Sequence, residues 1–179
     1  MSTNNSNESY HGPFQRTIVL VGLMGAGKTS IGRTLADRMQ VPFVDADQEL
    51  EKAAGCTITE FFGKFGEKEF RRGEKRVIAR LLKSWPCVLA TGGGAFMDLE
   101  TRTMIKNKAV SVWLNADLET LDARLTQRSG RPLLRTKNPR ATLQSLMEKR
   151  YPIYAEADMI VETSNGSVDV TVHKVYKSI

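Results

Sequence analysis

One short segment constrains this chain more than any other. Residues 22–29 read GLMGAGKT, which matches the G-x-x-x-x-G-K-[ST] spacing of a phosphate-binding loop. The apolar run Thr17–Val21 precedes the loop and a helix-compatible segment follows it, which is the context in which this motif holds nucleotide phosphates. The sequence therefore predicts a nucleoside triphosphate site between a strand and a helix. The alternative is an ordinary glycine-rich turn.

The residue types in this loop indicate what each would do. Backbone N–H groups of a glycine-rich turn curl around the α- and β-phosphates, Lys28 reaches the β- and γ-oxygens, and the Thr29 hydroxyl can ligate Mg²⁺. The helix that begins near Gly27 adds the positive end of its dipole. The expected nucleotide-binding residues are Gly25, Ala26, Gly27, Lys28, Thr29 and Ser30.

Composition is typical of a single globular domain. The chain has 179 residues, of which 41% are hydrophobic, and its apolar stretches are shorter than the roughly 18 residues that span a membrane. Residues 1–15 are polar and lack Lys and Arg, so we expect a disordered tail rather than a secretory signal, followed by one domain over residues 16–179. Cys56 and Cys87 have no CxxC spacing, which favours reduced thiols in a cytoplasmic protein with no membrane contact.

The net charge of +6 is concentrated in one stretch. No Asp or Glu occurs between Ala123 and Met147, whereas six basic residues do: Arg124, Arg128, Arg131, Arg135, Lys137 and Arg140. Such a block can be a nucleic-acid patch, a solvated face or a loop that faces phosphate. The block has no interleaved aromatic residues for base stacking, so we expect no nucleic-acid partner.

Short apolar runs alternate with segments of helical periodicity, which is the sequence form of repeated βαβ units. The expected strands are Thr17–Val21, Pro42–Asp45, Val88–Ala90, Ala109–Leu114 and Met159–Glu162. The expected helices are Lys28–Met39, Asp47–Ala54, Glu67–Lys83, Asp98–Asn107, Asp117–Gln127, Thr142–Ala155 and Val168–Lys177, with a further short helix after the capping-box spacing of Thr57 and Glu60. This pattern predicts an α/β fold with five parallel strands, whose ligands gather beyond the carboxyl ends of the strands.

Two segments that follow expected strands carry candidate chemistry. Asp45 is the last residue of the second expected strand and Asp47 follows two residues later, and in an extended backbone both carboxylates would share one face and point towards the phosphate loop. One could support Mg²⁺ and the other could orient an attacking hydroxyl, although Asp47 could also simply cap the next helix. Residues 92–94 are three consecutive glycines, which indicates either close approach of a ligand or a flexible turn.

Six motifs in this order and spacing resemble bacterial shikimate kinase. They are GLMGAGKTS, VDAD, EFRRGE at 69–74, TGGGAF at 91–96, RPLL at 131–134 and LMEKRYPIY at 146–154, and the resemblance runs from about residue 16 to 163. It implies a three-layer P-loop kinase fold with a central five-stranded parallel sheet, helices on both faces and a mobile lid near residues 128–140. It also implies transfer of the γ-phosphoryl of ATP, with Mg²⁺, to the 3-hydroxyl of shikimate, a step in aromatic amino acid biosynthesis.

The resemblance implies roles for the matching positions. Asp47 would contact the substrate hydroxyls and act as the base, while Asp45 would support Mg²⁺ through water beside Thr29. Arg71 and Arg150 would grip the substrate carboxylate, to which a planar guanidinium pairs bidentately. Without the resemblance, Arg71 could be part of a charged helix face and Arg150 a cation that the helix dipole favours.

The remaining roles concern the pocket wall and the lid. The Gly93 backbone would complete the acceptor pocket, and Lys28 would act with Arg131, which would close over the ATP phosphates. The resemblance makes Arg128 the first choice for a contact with adenine and Arg124 the second. The family often has more residues between its adenine-contacting arginine and the RPLL arginine than this chain has before Arg131.

Two other functions stay open. A gluconate-type kinase would share the phosphate loop and the fold, but would not need Asp47, Arg71, Gly93 and Arg150 together for a cyclic carboxylate. A non-catalytic, nucleotide-switched module would use the basic stretch to bind RNA in a salt-dependent way. Nothing in the sequence indicates an obligate interface, so we expect a monomer whose partners are shikimate and ATP.

Overall fold

The computed structural model describes residues 15–84, 86–126, 138–163 and 166–179. The expected tail is thus outside the described residues except for residue 15. Arg128, Arg131 and most of the expected lid also lie outside them.

A five-stranded parallel sheet forms the centre of the molecule. Its strands are β1 (Thr17–Val21), β2 (Phe43–Asp45), β3 (Val88–Ala90), β4 (Ala109–Ala116) and β5 (Met159–Thr163). They lie in the order β2-β3-β1-β4-β5, with every neighbouring pair parallel. The five predicted strands are confirmed, and their ends differ from the prediction by at most two residues, because strand ends depend on pairing that the sequence does not show.

Within the described ranges, seven helices pack around this sheet. They are α1 (Lys28–Met39), α2 (Ala46–Ala54), α3 (Ile58–Leu81), α4 (Leu99–Lys108), α5 (Leu118–Thr126), α6 (Pro139–Tyr154) and α7 (Val168–Ser178), with one turn of 3₁₀ helix at Ala95–Met97. Strand β1 lies between β3 and β4, so β2 and β3 lie on one side of it within the sheet and β4 and β5 on the other. The carboxyl end of β1 is therefore the point where the strand order changes direction. Parallel α/β sheets bind ligands at such points.

The core lies against the central strands. Every residue of β1 is buried, and the apolar sides of α1 and α4 cover the sheet through Leu35 and Ile105, which are among the most buried side chains. Strands buried on both faces have continuous apolar sequences, which is why Thr17–Val21 shows no alternation of polar and apolar residues. This buried strand fixes the position of the phosphate loop that follows it.

The helix after the Thr57 cap is longer than predicted. Thr57 and Glu60 form the expected capping box, but the helix that they begin continues past residue 66 to Leu81 instead of ending early. Gly66 interrupts it with φ 77° and ψ 176°, a conformation that is nearly restricted to glycine. Sequence periodicity could not show that the two helical segments join through this kink.

No helix in the described ranges is both long enough and apolar enough to cross a membrane.

Candidate active site

The phosphate loop leaves β1 through glycines that accept no side chain. Gly22 has φ 138°, and a Cβ there would lie 2.8 Å from the carbonyl oxygen of Leu114 in β4. Gly27, with φ 96°, is the residue before α1, and a Cβ there would lie 3.0 Å from the Ile31 side chain. The glycines at these positions therefore provide both the left-handed backbone and the close packing that the loop requires.

The amino end of α1 is prepared to bind an anion. Its first turn has no acidic residue and no side chain caps it, whereas α2, α3, α4, α6 and α7 are each capped by a side chain. The first N–H groups of a helix lack partners within the helix, and here they lie beside the exposed Thr29 and Ser30. Such an end can hold phosphate oxygens through N–H groups and the helix dipole.

Two cations contact the same loop. The Lys28 ammonium donates to the carbonyl oxygens of Gly22 and Leu23 at 2.7 and 2.8 Å. Arg124 on α5 donates to the carbonyl oxygen of Gly25 at 3.1 Å. This places Arg124, the second choice for an adenine contact, against the phosphate loop; Arg128, the first choice, is outside the described residues.

The basic stretch is partly engaged within the protein. Besides Arg124, Arg140 at the start of α6 forms ion pairs with Glu119 and Asp122 of α5. The other four members of the stretch, Arg128, Arg131, Arg135 and Lys137, lie outside the described residues. These ion pairs tie the beginning of α6 to α5.

The two aspartates after β2 differ in role, and the expectation that they share an extended backbone is wrong. Helix α2 begins at Ala46, so only Asp45 is in the strand, and its Oδ1 accepts from the N–H groups of Asp47 and Gln48 at 3.0 and 3.4 Å. Asp45 is therefore the helix cap, and Asp47 stands in the first turn of the helix. The α2 backbone turns immediately after Asp45 because the cap bonds stabilise a helical start there.

The glycine loop at 92–94 leaves room for charged side chains. A Cβ on Gly92 would lie 2.6 Å from Oε1 of Glu74 and 3.0 Å from Oδ1 of Asp47. A Cβ on Gly94 would lie within 2.5 Å of the Arg71 guanidinium, and one on Gly93 would lie 3.4 Å from Nη1 of Arg150. The loop thus brings together all four residues around its backbone, which is a stronger reason for three glycines than a flexible turn.

Arg71 is held by a buried carboxylate. Its Nη1 donates to Oε2 of Glu74 at 2.7 Å, and Glu74 is only 4% exposed. A more exposed partner, Glu67, lies 3.4 Å from Nη2. The neighbouring Arg72 is exposed and pairs with Glu69, as expected for a solvated face. Of these two neighbouring arginines, Arg71 is therefore the one that projects into the site.

The carboxyl groups of Asp47 and Glu74 both have raised pKa values. Burial raises the pKa of Asp47, and the charge of Asp45 raises it further, while Lys28 and Arg71 lower it. Burial likewise raises the pKa of Glu74, against the opposing charge of Arg71. Oδ1 of Asp47 and Oε1 of Glu74 are buried without a hydrogen-bond partner among the described residues. A carboxylate with a raised pKa and a free oxygen suits a proton acceptor.

Sequence reasoning assigned no role to Glu74 or Tyr154, although both lie in the quoted motifs. Glu74 is three residues after Arg71 and Tyr154 is four residues after Arg150, so each shares a helix face with an arginine. The hydroxyl of Tyr154 donates to the carbonyl oxygen of Gly93. That helical spacing was the signal available in the sequence.

Comparison with known proteins decides the family. The family model described as shikimate kinase matches residues 24–179. The chain belongs to the shikimate kinase family. A shikimate kinase from Paramagnetospirillum magneticum is 55% identical over 168 residues, which cover 94% of this chain and 86% of that protein. The structure of the Acinetobacter baumannii shikimate kinase in complex with shikimate superposes with a TM-score of 0.87 at 38% identity, covering 91% of this chain and 92% of that one.

The fold extends beyond shikimate kinases. A gluconokinase from Sinorhizobium meliloti has a TM-score of 0.61 at 19% identity, covering 90% of this chain and 89% of its own. At that identity the likeness shows only a shared fold. What separates the shikimate kinase family from such proteins must therefore be sought in the site residues.

Proposed function

We propose that this chain transfers the γ-phosphoryl group of ATP to the 3-hydroxyl of shikimate, giving shikimate 3-phosphate and ADP. The observation that carries the proposal is the convergence of Arg71, Arg150 and Asp47 on the glycine loop beside the phosphate loop. Family membership supports it, as does the shikimate in the complex of the Acinetobacter baumannii relative. The acceptor site then lies at the loop after β3, and the nucleotide site lies at the loop after the neighbouring strand β1.

The acceptor side supplies charge and orientation. Arg71 and Arg150 offer planar donors for the substrate carboxylate, and the Gly93 backbone forms the wall between them. The ion pair with Glu74 holds the Arg71 side chain in place before substrate arrives, so less conformational entropy is lost on binding. Asp47, which lies beside Gly92 of the same loop, contacts the substrate hydroxyls.

Asp47 is the base in this proposal. It accepts the proton of the 3-hydroxyl as that oxygen attacks the γ-phosphorus, and the bond between this phosphorus and the bridging oxygen of ADP breaks. Lys28, whose charge also acts on Asp47, turns from the loop carbonyls to the phosphate oxygens. Catalysis of this kind consists mainly of positioning and charge neutralisation.

The nucleotide side fits a magnesium ion that arrives with ATP. The Thr29 hydroxyl and, through water, the Asp45 carboxylate offer hard oxygen donors, and the described residues contain no cluster of three or more acidic, His or Cys side chains that could hold a metal alone. Mg²⁺ would neutralise phosphate charge there. Arg131 would close over the phosphates and Arg128 would contact adenine.

We also propose that the protein is a monomer and that it acts in the cytoplasm.

The test is coupled ADP release with Mg·ATP and four conditions: shikimate, gluconate, a nucleoside monophosphate and no acceptor. Turnover with shikimate alone is expected. Turnover with gluconate would instead support a gluconate-type kinase and would overturn Arg71 and Arg150 as shikimate ligands. If none of the three acceptors gave turnover, the RNA-binding alternative would gain support. Salt-dependent retention of RNA on a filter would test that alternative directly.

A further inference from the structure

The last residue of α6 makes a contact that no role yet explains. Tyr154 is fully buried, and its ring packs against Phe96 and Trp113 with centroids 6.3 and 5.9 Å apart. Packing of this kind needs only the ring. The hydroxyl reaches further and donates to the carbonyl oxygen of Gly93 in the glycine loop.

Arg150, one helical turn earlier on α6, also acts on this hydroxyl. Burial raises the pKa of Tyr154 to about 12, and the charge of Arg150 together with a hydrogen bond from its side chain opposes that shift. The group therefore stays protonated at neutral pH and remains a hydrogen-bond donor. A phenolic oxygen has one hydrogen to donate and lone pairs to accept. Donating to Gly93, it can accept from Arg150 at the same time.

The hydroxyl orients the one glycine peptide that the loop does not fix itself. The carbonyl oxygens of Gly92 and Gly94 accept from the backbone N–H groups of Ala95 and Met97, each at 3.1 Å. The carbonyl of Gly93, between them, is bound by Tyr154. Glycine peptides rotate easily because no Cβ restricts them. The Tyr154 hydroxyl supplies the missing restraint on the middle peptide.

We propose that Tyr154 is a positioning residue for the acceptor site, and that its hydroxyl fixes the Gly93 backbone and the Arg150 guanidinium in one arrangement. The inference rests on the proposed function, because Gly93 and Arg150 are proposed there as acceptor ligands. Nη1 of Arg150 lies 3.4 Å from where a Gly93 Cβ would stand, so both ligands and the hydroxyl form one compact group. The residue acts through these ligands without touching the reacting atoms.

The expected effect is on acceptor affinity. In Tyr154→Phe the ring packing remains while the hydroxyl contacts are lost, so Gly93 and Arg150 must be ordered when the substrate binds. We expect the KM for shikimate to rise about tenfold, the scale of one hydrogen bond, while kcat falls less than about threefold. The KM for ATP should stay within about twofold of the wild-type value.

Tyr151→Phe is the matched control. Tyr151 lies on the same helix, its ring centroid is 4.9 Å from that of Trp113, and its hydroxyl donates to the carbonyl oxygen of Ala116 rather than to the glycine loop. The Tyr151→Phe variant likewise loses one hydrogen bond from a tyrosine hydroxyl to a backbone carbonyl, but without touching Gly93. We expect a similar fall in Tm in both variants, but an unchanged KM for shikimate in Tyr151→Phe.

The decisive experiment measures KM and kcat for both substrates, and Tm, in the wild type and the two variants. A selective rise in the KM for shikimate in Tyr154→Phe supports the inference. Equal constants in wild type and Tyr154→Phe, or equal effects in both variants, overturn it. If Tyr154→Phe unfolds at 25 °C, the same ratios are measured at 10 °C and decide in the same way. A wild-type protein without turnover on shikimate refutes the proposed function itself.

Discussion

Asp47 combines properties that favour catalysis and weaken the fold. Its pKa is raised from 3.8, so the folded state binds the proton more tightly than the unfolded state. The stability that the neutral group contributes is complete below pH 3.8 and is lost as the pH rises through the folded pKa. At neutral pH the buried charge therefore destabilises the protein. Active sites often carry this kind of cost.

Asp47→Asn should separate the two properties. We expect kcat with shikimate to fall at least about 100-fold while ATP binding is kept, because the proton acceptor is lost. We also expect Tm at pH 7 to rise by about 2–4 °C, the shift that about 1 kcal/mol produces in a protein of this size. Steady-state kinetics and thermal unfolding check both, with Asp37→Asn on the exposed side of α1 as control. An unchanged kcat would refute the role of Asp47 as base.

The neighbouring cap, Asp45, offers a pH test. Its charge raises the pKa of Asp47, so Asp45→Asn should lower that pKa and keep Asp47 ionised in more acidic solution. The acid limb of the kcat/KM profile for shikimate should move to lower pH. Asn caps helices about as well as Asp, so α2 should keep its start. A limb that stays in place or moves to higher pH would contradict the electrostatic coupling. A higher Mg²⁺ concentration needed for half-maximal rate would separately support the metal role.

Among the elements, α3 has a geometry that depends on a single residue, Gly66. A Cβ on Gly66 would meet nothing within 4 Å, so the requirement there is conformational and not spatial. The kink brings the Phe62 ring to 4.4 Å from that of Phe70, which precedes Arg71. Gly66→Ala should destabilise the protein by about 1–3 kcal/mol in urea unfolding, because the backbone conformation is nearly exclusive to glycine.

Gly63→Ala is the paired control in the same helix. A Cβ on Gly63 also meets nothing within 4 Å, but its backbone is helical, so Ala should be neutral or stabilise by up to about 1 kcal/mol. Equal effects of the two substitutions would show that Gly66 is not conformationally special.

Element prediction succeeded where the pattern was local. The strands are marked by buried apolar runs, and Thr57 was recognised as a cap from its spacing to Glu60. The expectation for Asp45 and Asp47 is wrong because α2 begins at Ala46, directly after the strand, so the extended backbone does not reach Asp47. The sequence indicates neighbours of Arg71 and Arg150 on their own helices through the helical spacing. It does not show that both arginines meet the glycine loop, which is distant from them in sequence. The roles of Arg128 and Arg131 stay predictions.

At the scale of the molecule, the two thiols report on different levels of opening. Cys87 is buried just before β3, near the Thr17 hydroxyl of β1, and burial raises its pKa; Cys56 is partly exposed beside the Thr57 cap. Since thiolates react and buried thiols are protected, the native protein should react rapidly with about one equivalent of a disulfide reagent, and the unfolded protein with two. Fast reaction of both thiols in the native protein would mean that the sheet opens easily.

The crowding at the glycine loop also limits how this site can change over generations. Any side chain at 92 or 94 would collide with Glu74 or Arg71, so single substitutions there remove the pocket instead of reshaping it. An inhibitor that bound mainly to this stretch of backbone would leave the organism few routes to resistance by point mutation at these two positions.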